Sequence, residues 1–320
     1  MVSQVSCLCK RGYVRFDLLV ADYWNMSVSG IFVGFATLDV LHLIDRLPER
    51  DELVHACDEL ISAGGGAANA AVAFAALGGR PTLFSPCGGS SVASLAMGDL
   101  KTHGVRVLDC APGAPSGLGV SSILVDRSTG ERAIITTSGF SGVCVMPKFP
   151  LSLVSGCRVL LWDGQHRELA LPLIRAVRLR GIPVVADCGI WKPWFETDLS
   201  LVDYAVCSAV FRPPGCVDDR DVEDCLFRLG VRVVAITHGG SDVSWRDVSG
   251  ISGSIPVSPV DVVDTLGAGD IFHGAFAFAL ASGTSDLGEA LVYASRVASH
   301  STRFFGARRW IQEPYLTSTF

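Results

Sequence analysis

Two carboxylates bracket a small-residue turn in Asp264-Thr265-Leu266-Gly267-Ala268-Gly269-Asp270, and an apolar run follows from Ile271 to Leu280. The pattern reads as a strand end, a glycine-rich turn and the start of a helix. A helix N-terminus presents unpaired backbone N–H groups and the positive end of its dipole, which suits an anion. Asp270 would stand beside that anion in the first helical turn. Phosphoryl transfer to a hydroxyl asks for both parts: donors for the charge on the transferring group and a base for the hydroxyl proton. The same residues also suit an ordinary helix start whose dipole favours Asp270 and nothing more.

Three other places carry polar groups that such chemistry could use. Gly64-Gly65-Gly66-Ala67-Ala68-Asn69 lets backbone approach a ligand before entering a helix, and the Asn69 amide both donates and accepts, as a polyol requires. Taken alone, a glycine-rich helix start is common. Asp39 follows the first apolar run and reads either as a ligand-binding carboxylate at a strand end or as a loop aspartate. Thr237-His238-Gly239-Gly240 follows another apolar run, where a nucleotide could touch a strand end. Neither a G-x-G-x-x-G fingerprint nor a G-x-x-x-x-G-K-[ST] phosphate loop occurs.

Elements must exist to hold these groups, and the chain alternates accordingly. Apolar runs at Ile31–Thr37, Pro81–Ser85, Arg158–Trp162, Pro183–Asp187, Tyr204–Cys207 and Val231–Thr237 predict strands. Ala67–Leu77, Val92–His103, Glu168–Arg180 and Val222–Leu229 predict helices, each ended by glycine. Continuously apolar strands separated by helices imply a parallel sheet covered on both faces. Two stretches break the rhythm. Leu41–Ser62 mixes charged and apolar residues, and Val120–Val125 with Ala133–Thr137 flanks a turn at Asp126–Gly130 as a hairpin would. Together they predict a small separate sheet, either a lid or two surface excursions.

Composition narrows the class. The 320 residues are 49% hydrophobic and 18% charged, which describes a globular chain able to bury a large core. A net charge of −6, with no basic run, argues against nucleic acid or an anionic membrane as partner. No apolar stretch reaches the roughly 18 residues of a spanning helix. The eleven cysteines form no C-x-x-C pair and read as small core residues of a reducing cytoplasm. The first 28 residues make a poor signal peptide and read as a disordered or spurious extension ahead of one domain over 29–320, with lid segments at about 41–62 and 117–140.

Asp39, the Gly64–Asn69 block, Thr237–Gly240 and the D-T-x-G-A-G-D turn stand in an order and spacing that resembles the ribokinase-like (PfkB) carbohydrate kinases, from Ile31 to Arg309. Gly64, Gly65 and Asn69 match the family's G-G-x-x-x-N. The run from Val260 through Ala275, with Gly64–Ala68, looks most like the bacterial sulfofructose kinase and ketohexokinase-like branch. The resemblance implies a Rossmann-like three-layer α/β/α fold with a small β-sheet lid, and ATP-dependent phosphorylation of a sugar's primary hydroxyl, with a ketose-like acceptor favoured. It implies Asp270 as base and Gly267, Ala268 and Gly269 as anion hole. Asp39, Gly65, Gly66 and Asn69 would bind sugar hydroxyls, and Thr237, Gly239 and Gly240 would line the nucleotide site. Mg²⁺ would arrive with ATP, Asp264 and Gly306 sit where a monovalent cation such as K⁺ is expected, and a homodimer would form through the lid. Arg132, on the lid hairpin, reads either as a reader of an anionic substituent or as a surface charge.

Departures matter as much. Where family members carry N-x-x-E to organise metal-bound water, this chain reads Ser208-Ala209-Val210-Phe211. Asp163 and Asp187, at neighbouring strand ends, would have to supply that charge. A G-D-D-x-x-G-type segment is reduced to Gly88-Gly89-Ser90-Ser91-Val92-Ala93. A nucleoside kinase and a non-catalytic sugar-binding relative therefore stand as alternatives. His273 reads as a residue packed against its helix.

Overall fold

The computed structural model describes residues 28–115, 117–137, 144–149 and 151–313. The expected N-terminal extension, apart from its last residue, and the end of the second lid segment past 137 lie outside the described residues.

Strand β1 (Ser29–Val33) opens the main sheet, and β2 (Thr37–Ile44) and β3 (Asp58–Gly64) leave it for a second one. Helix α1 (Gly66–Ala76), β4 (Arg80–Ser85), α2 (Ser91–Thr102) and β5 (Arg106–Asp109) follow, and β6 (Gly119–Asp126) and β7 (Arg132–Thr136) rejoin the second sheet. Next come α3 (Leu151–Gly156), β8 (Val159–Trp162), α4 (Arg167–Arg178), β9 (Val184–Cys188), α5 (Phe195–Asp198), β10 (Tyr204–Ser208), α6 (Asp219–Arg228) and β11 (Val233–His238). A hairpin of β12 (Ser241–Asp247) and β13 (Ser252–Ile255), then α7 (Ala268–Ala281) and α8 (Leu287–Ser301), complete the run.

The main sheet has nine strands in the order β13-β12-β11-β10-β9-β8-β1-β4-β5, and the second has four in the order β3-β2-β6-β7. From β11 to β5 every pairing is parallel, while β12 and β13 add antiparallel strands at one edge. The apolar runs have a simple cause. Phe32, Leu83, Leu161 and Val185 face a core shared with α1, α7 and α8, and their neighbours Ile31, Leu160 and Val184 face another shared with α4 and α6. A strand between two cores has no polar face to show. The five fully enclosed cysteines, Cys87, Cys110, Cys157, Cys188 and Cys207, sit among these residues as free thiols.

Two expectations are corrected. Ile31–Thr37 is not one strand: β1 stops at Val33, the chain turns through Gly34-Phe35-Ala36, and β2 begins at Thr37 in the other sheet. Asp39 therefore lies inside β2, not at the end of a main-sheet strand. The edge hairpin was not anticipated, because Ser241–Ile255 is too polar and serine-rich to stand out as strand.

Helices α1 and α7 pack side by side along small residues. A Cβ at Gly274 would stand 2.3 Å from the Ala70 carbonyl oxygen and 2.8 Å from the Ala73 Cβ. Alanine at an exposed helix position gains about 1 kcal/mol over glycine. Here the neighbour is backbone and cannot yield, so Gly274→Ala is expected to lose a net 1–3 kcal/mol or so of stability, read as a lower urea midpoint.

Candidate active site

The small-residue seam between α1 and α7 brings two helix N-termini together beside the carboxyl ends of the parallel strands. Gly267 caps α7 in the left-handed region (φ 73°), a conformation that glycine adopts without strain. Asp264 fastens the turn from below: its oxygens accept the N–H groups of Leu266 (2.8 Å) and Gly306 (2.9 Å), and it is buried. Asp270 occupies the first turn of α7, and the Asn69 amide, from the first turns of α1, donates to its Oδ2 at 2.8 Å.

Asn69 is itself oriented by a residue that the motifs did not reveal. Arg308 is buried; its guanidinium donates to Asn69 Oδ1 (2.9 Å), to the Ala63 carbonyl (2.6 Å) and to Asp99 (3.2 Å). A guanidinium only donates, so the Asn69 oxygen must face it and the amide NH₂ must face Asp270. Burial pulls the Arg308 pKa down, against the attraction of Asp99, Asp39 and Asp270. Asp39 lies against Gly64 and accepts from the Thr37 hydroxyl at 2.7 Å. Burial raises its pKa, while Thr37, Ser121 and Arg308 work in the other direction.

A second carboxylate group flanks Asp270. Asp163, at the end of β8, accepts from the N–H groups of Phe35 (2.6 Å), Gln165 (3.0 Å) and Ala67 (3.3 Å), the last at the start of α1. Asp187, near the end of β9, lies with Asp163 against Gly66. Burial, then the Asp187 charge, pushes Asp270 up to about 6, with Asn69 and His273 opposing and Asp163 adding to the rise. Asp163 is likewise pushed to about 6, chiefly by burial and also by Asp187, against its N–H donors. The His273 ring is buried, its nitrogens facing the carbonyls of Gly269 (2.5 Å) and Val206 (3.2 Å).

The sequence candidates thus divide. Asp39, Gly65, Gly66, Asn69, Gly267–Asp270, Asp264 and Gly306 gather around the two helix N-termini. Arg132 is exposed and hydrogen bonds through its guanidinium to the Thr265 hydroxyl, within the turn before α7. Thr237 spends its hydroxyl on the Cys207 carbonyl (3.3 Å). Gly239 and Gly240 form the exposed turn between β11 and β12, and no described hydrogen bond joins them to Asp270. At the place of N-x-x-E, Ser208 donates to the Gly189 carbonyl and Phe211 is fully buried, so neither the amide nor the carboxylate of that motif has a counterpart there.

A helix N-terminus bearing a raised carboxylate, beside an amide fixed by arginine, is suited to receive an anion and deprotonate a hydroxyl. The family model for pfkB family carbohydrate kinases matches residues 31–176 and 205–313. The chain belongs to that family. It is a sugar kinase, a phosphotransferase with a hydroxyl acceptor. The ribokinase of Bacillus subtilis is 26% identical over 289 residues, covering 86% of this chain and 93% of its own. The ATP-dependent ribose-1-phosphate kinase of Halopiger xanaduensis is 28% identical over 287 residues, covering 88% and 94%. The structure of Arabidopsis thaliana ribokinase complexed with ribose and ATP superposes with a TM-score of 0.70 at 23% identity, covering 90% of this chain and all of that one. The α/β fold with its small second sheet is that of ribokinase. Among the described residues of this pfkB kinase, no helix is long and apolar enough to cross a membrane.

Proposed function

We propose that this kinase transfers the γ-phosphoryl group of ATP to a primary hydroxyl of a sugar or sugar derivative, with a ketose-like acceptor favoured by the resemblance to the ketohexokinase-like branch. The observation that carries the reading is the 2.8 Å contact of Asn69 with Asp270 at the helix N-terminus. Asp270 accepts the hydroxyl proton. The backbone N–H groups of Gly267, Ala268 and Gly269 face the developing charge on the phosphoryl oxygens. Asp39, Gly65, Gly66 and Asn69 bind the other sugar hydroxyls, and the second sheet, which carries Asp39, is the lid. Thr237, Gly239 and Gly240 line the nucleotide side.

The raised pKa values of Asp163 and Asp270 mark a buried place short of positive charge, and that fits a divalent cation. Asp163 and Asp187 would hold Mg²⁺, through water or directly, where it neutralises phosphate charge. Each Asp264 oxygen accepts one N–H and retains a lone pair, so a monovalent cation such as K⁺ fits beside Asp264 and Gly306. Arg132, one hydrogen bond from Thr265, would read an anionic substituent. Ile61, Ile134 and Ile135 expose apolar surface on the second sheet, which supports a homodimer through that sheet.

The test is an ADP-release screen with Mg²⁺, with and without K⁺, over ketoses, ribose, aldonates, sugar phosphates, sulfosugars and nucleosides. Turnover confined to sugars is expected, and the fastest acceptor should be ketose-like. Preferential turnover of adenosine would overturn the acceptor assignment.

A further inference from the structure

Outside the helix N-termini, a cluster of metal-ligating side chains among the described residues has no part in the proposed reaction. Cys144 precedes α3, His166 caps α4 and Glu168 sits in that helix's first turn. The Cys144 sulfur is 3.7 Å from His166 Nδ1, and the same nitrogen is 3.9 Å from Glu168 Oε1. All three donor atoms lie within 4.8 Å of one another. Zinc–sulfur and zinc–nitrogen bonds of about 2.3 and 2.0 Å at a tetrahedral angle place neighbouring donors about 3.5 Å apart. The sulfur and the imidazole nitrogen already stand within a few tenths of an ångström of that spacing, and the Glu168 carboxylate, exposed and free to move, would close the rest of the gap on the ion.

The surroundings hold this arrangement. His166 is one of two described non-glycine residues in the left-handed region (φ 46°). Its ring stacks on Phe35 at 6.1 Å with an interplanar angle of 10°. From that position Nδ1 faces both Cys144 and the first-turn Glu168. The neighbouring Val145 N–H is tied to the Cys110 carbonyl at 2.7 Å, which fixes the chain carrying the thiol.

We propose that Cys144, His166 and Glu168 bind a zinc-class divalent cation, separate from the Mg²⁺ of the reaction. Thiolate, imidazole and carboxylate together suit a borderline-soft ion, and hard Mg²⁺ prefers oxygen alone. Three protein ligands leave the fourth position to water. Binding forms the metal–sulfur bond and releases the thiol proton to solvent, so it weakens as pH falls. The ion would join the segment 144–149 ahead of α3 to the loop after β8. That loop also carries Asp163, whose oxygen accepts from the N–H of Phe35 under the His166 ring.

The test is titration of the full-length, reduced protein with Co²⁺, followed by its sulfur-to-metal absorption, with Zn²⁺ as competitor. One equivalent should bind with that band, and Zn²⁺ should abolish it. Cys144→Ser should lose the band, and Glu168→Gln should weaken binding by about tenfold or more, since even outer partners of a metal matter that much. Glu168 is exposed, so its variant folds whatever happens at Cys144. Zn²⁺ should also slow alkylation of Cys144 in the unmodified protein, read by peptide mass spectrometry. Unchanged affinity in both variants, with the signal surviving at other thiols such as Cys216 and Cys225, would overturn the site. So would alkylation of Cys144 at the same rate with and without Zn²⁺.

Discussion

Asp270→Asn is expected to lower kcat by about 10²–10⁴-fold, the share a positioned general base supplies, while sugar affinity changes little. Asparagine keeps an oxygen that accepts from Asn69 and loses the charge and with it the ability to take a proton. An unchanged kcat would remove Asp270 from the chemistry. In the unmodified protein, activity needs the ionised carboxylate, so kcat/KM should fall as pH drops through about 6.

The same substitution should stabilise the fold, and the sign follows from linkage. The Asp270 pKa is higher in the folded chain than in the unfolded one. Its contribution favours folding at low pH and is lost as pH rises from about 4 through about 6. At neutral pH the charge held at Asp270 costs roughly 3 kcal/mol, which asparagine avoids. The gain in Tm over the unmodified protein should be larger at pH 7.5 than at pH 5. A gain independent of pH would mean that burial of charge is not its source.

Arg308→Met is the second large effect. It leaves the Asn69 oxygen and the Ala63 carbonyl without their charged donor and removes the cation that faces Asp99. Breaking a buried ion pair from one side costs about 3–5 kcal/mol. Asp99 keeps the Ala63 N–H and His103, so the lower end is expected. The freed Asn69 amide can turn, so the sugar KM should rise as well as kcat fall. Arg308→Lys should recover part of the stability and little of the activity, because one ammonium cannot span Ala63, Asn69 and Asp99 together. Equal recovery of both would show that only the charge matters.

What the sequence made legible was local. The turn from Asp264 to Asp270 and the block from Gly64 to Asn69 announce themselves, because glycine spacing and helix starts are properties of neighbouring residues. The two-core burial of β1, β8 and β9 was equally plain from their unbroken apolar runs. Arg308 was not legible: its partner Asn69 is 239 positions away, and an arginine near the end of the chain looks like surface. Asp39 was placed on the wrong sheet because Ile31–Thr37 hides a turn in an apolar run. Ser121 came near Asp39 only through the parallel pairing of β2 with β6.

The close seam of α1 and α7 at Gly274 has a mechanical consequence. Asn69 and Asp270 ride on one stiff frame, fixed by backbone-to-backbone contact, while Asp39 and Arg132 belong to a separate sheet. A shift of that sheet would move Asp39 and Arg132 against this frame, and through the Ala63 carbonyl on β3 it would also reach Arg308, whose guanidinium sets the Asn69 amide. On the proposed reading, a change of grip on the sugar is thereby felt beside the base through a single arginine, so acceptor choice and proton transfer are tuned together.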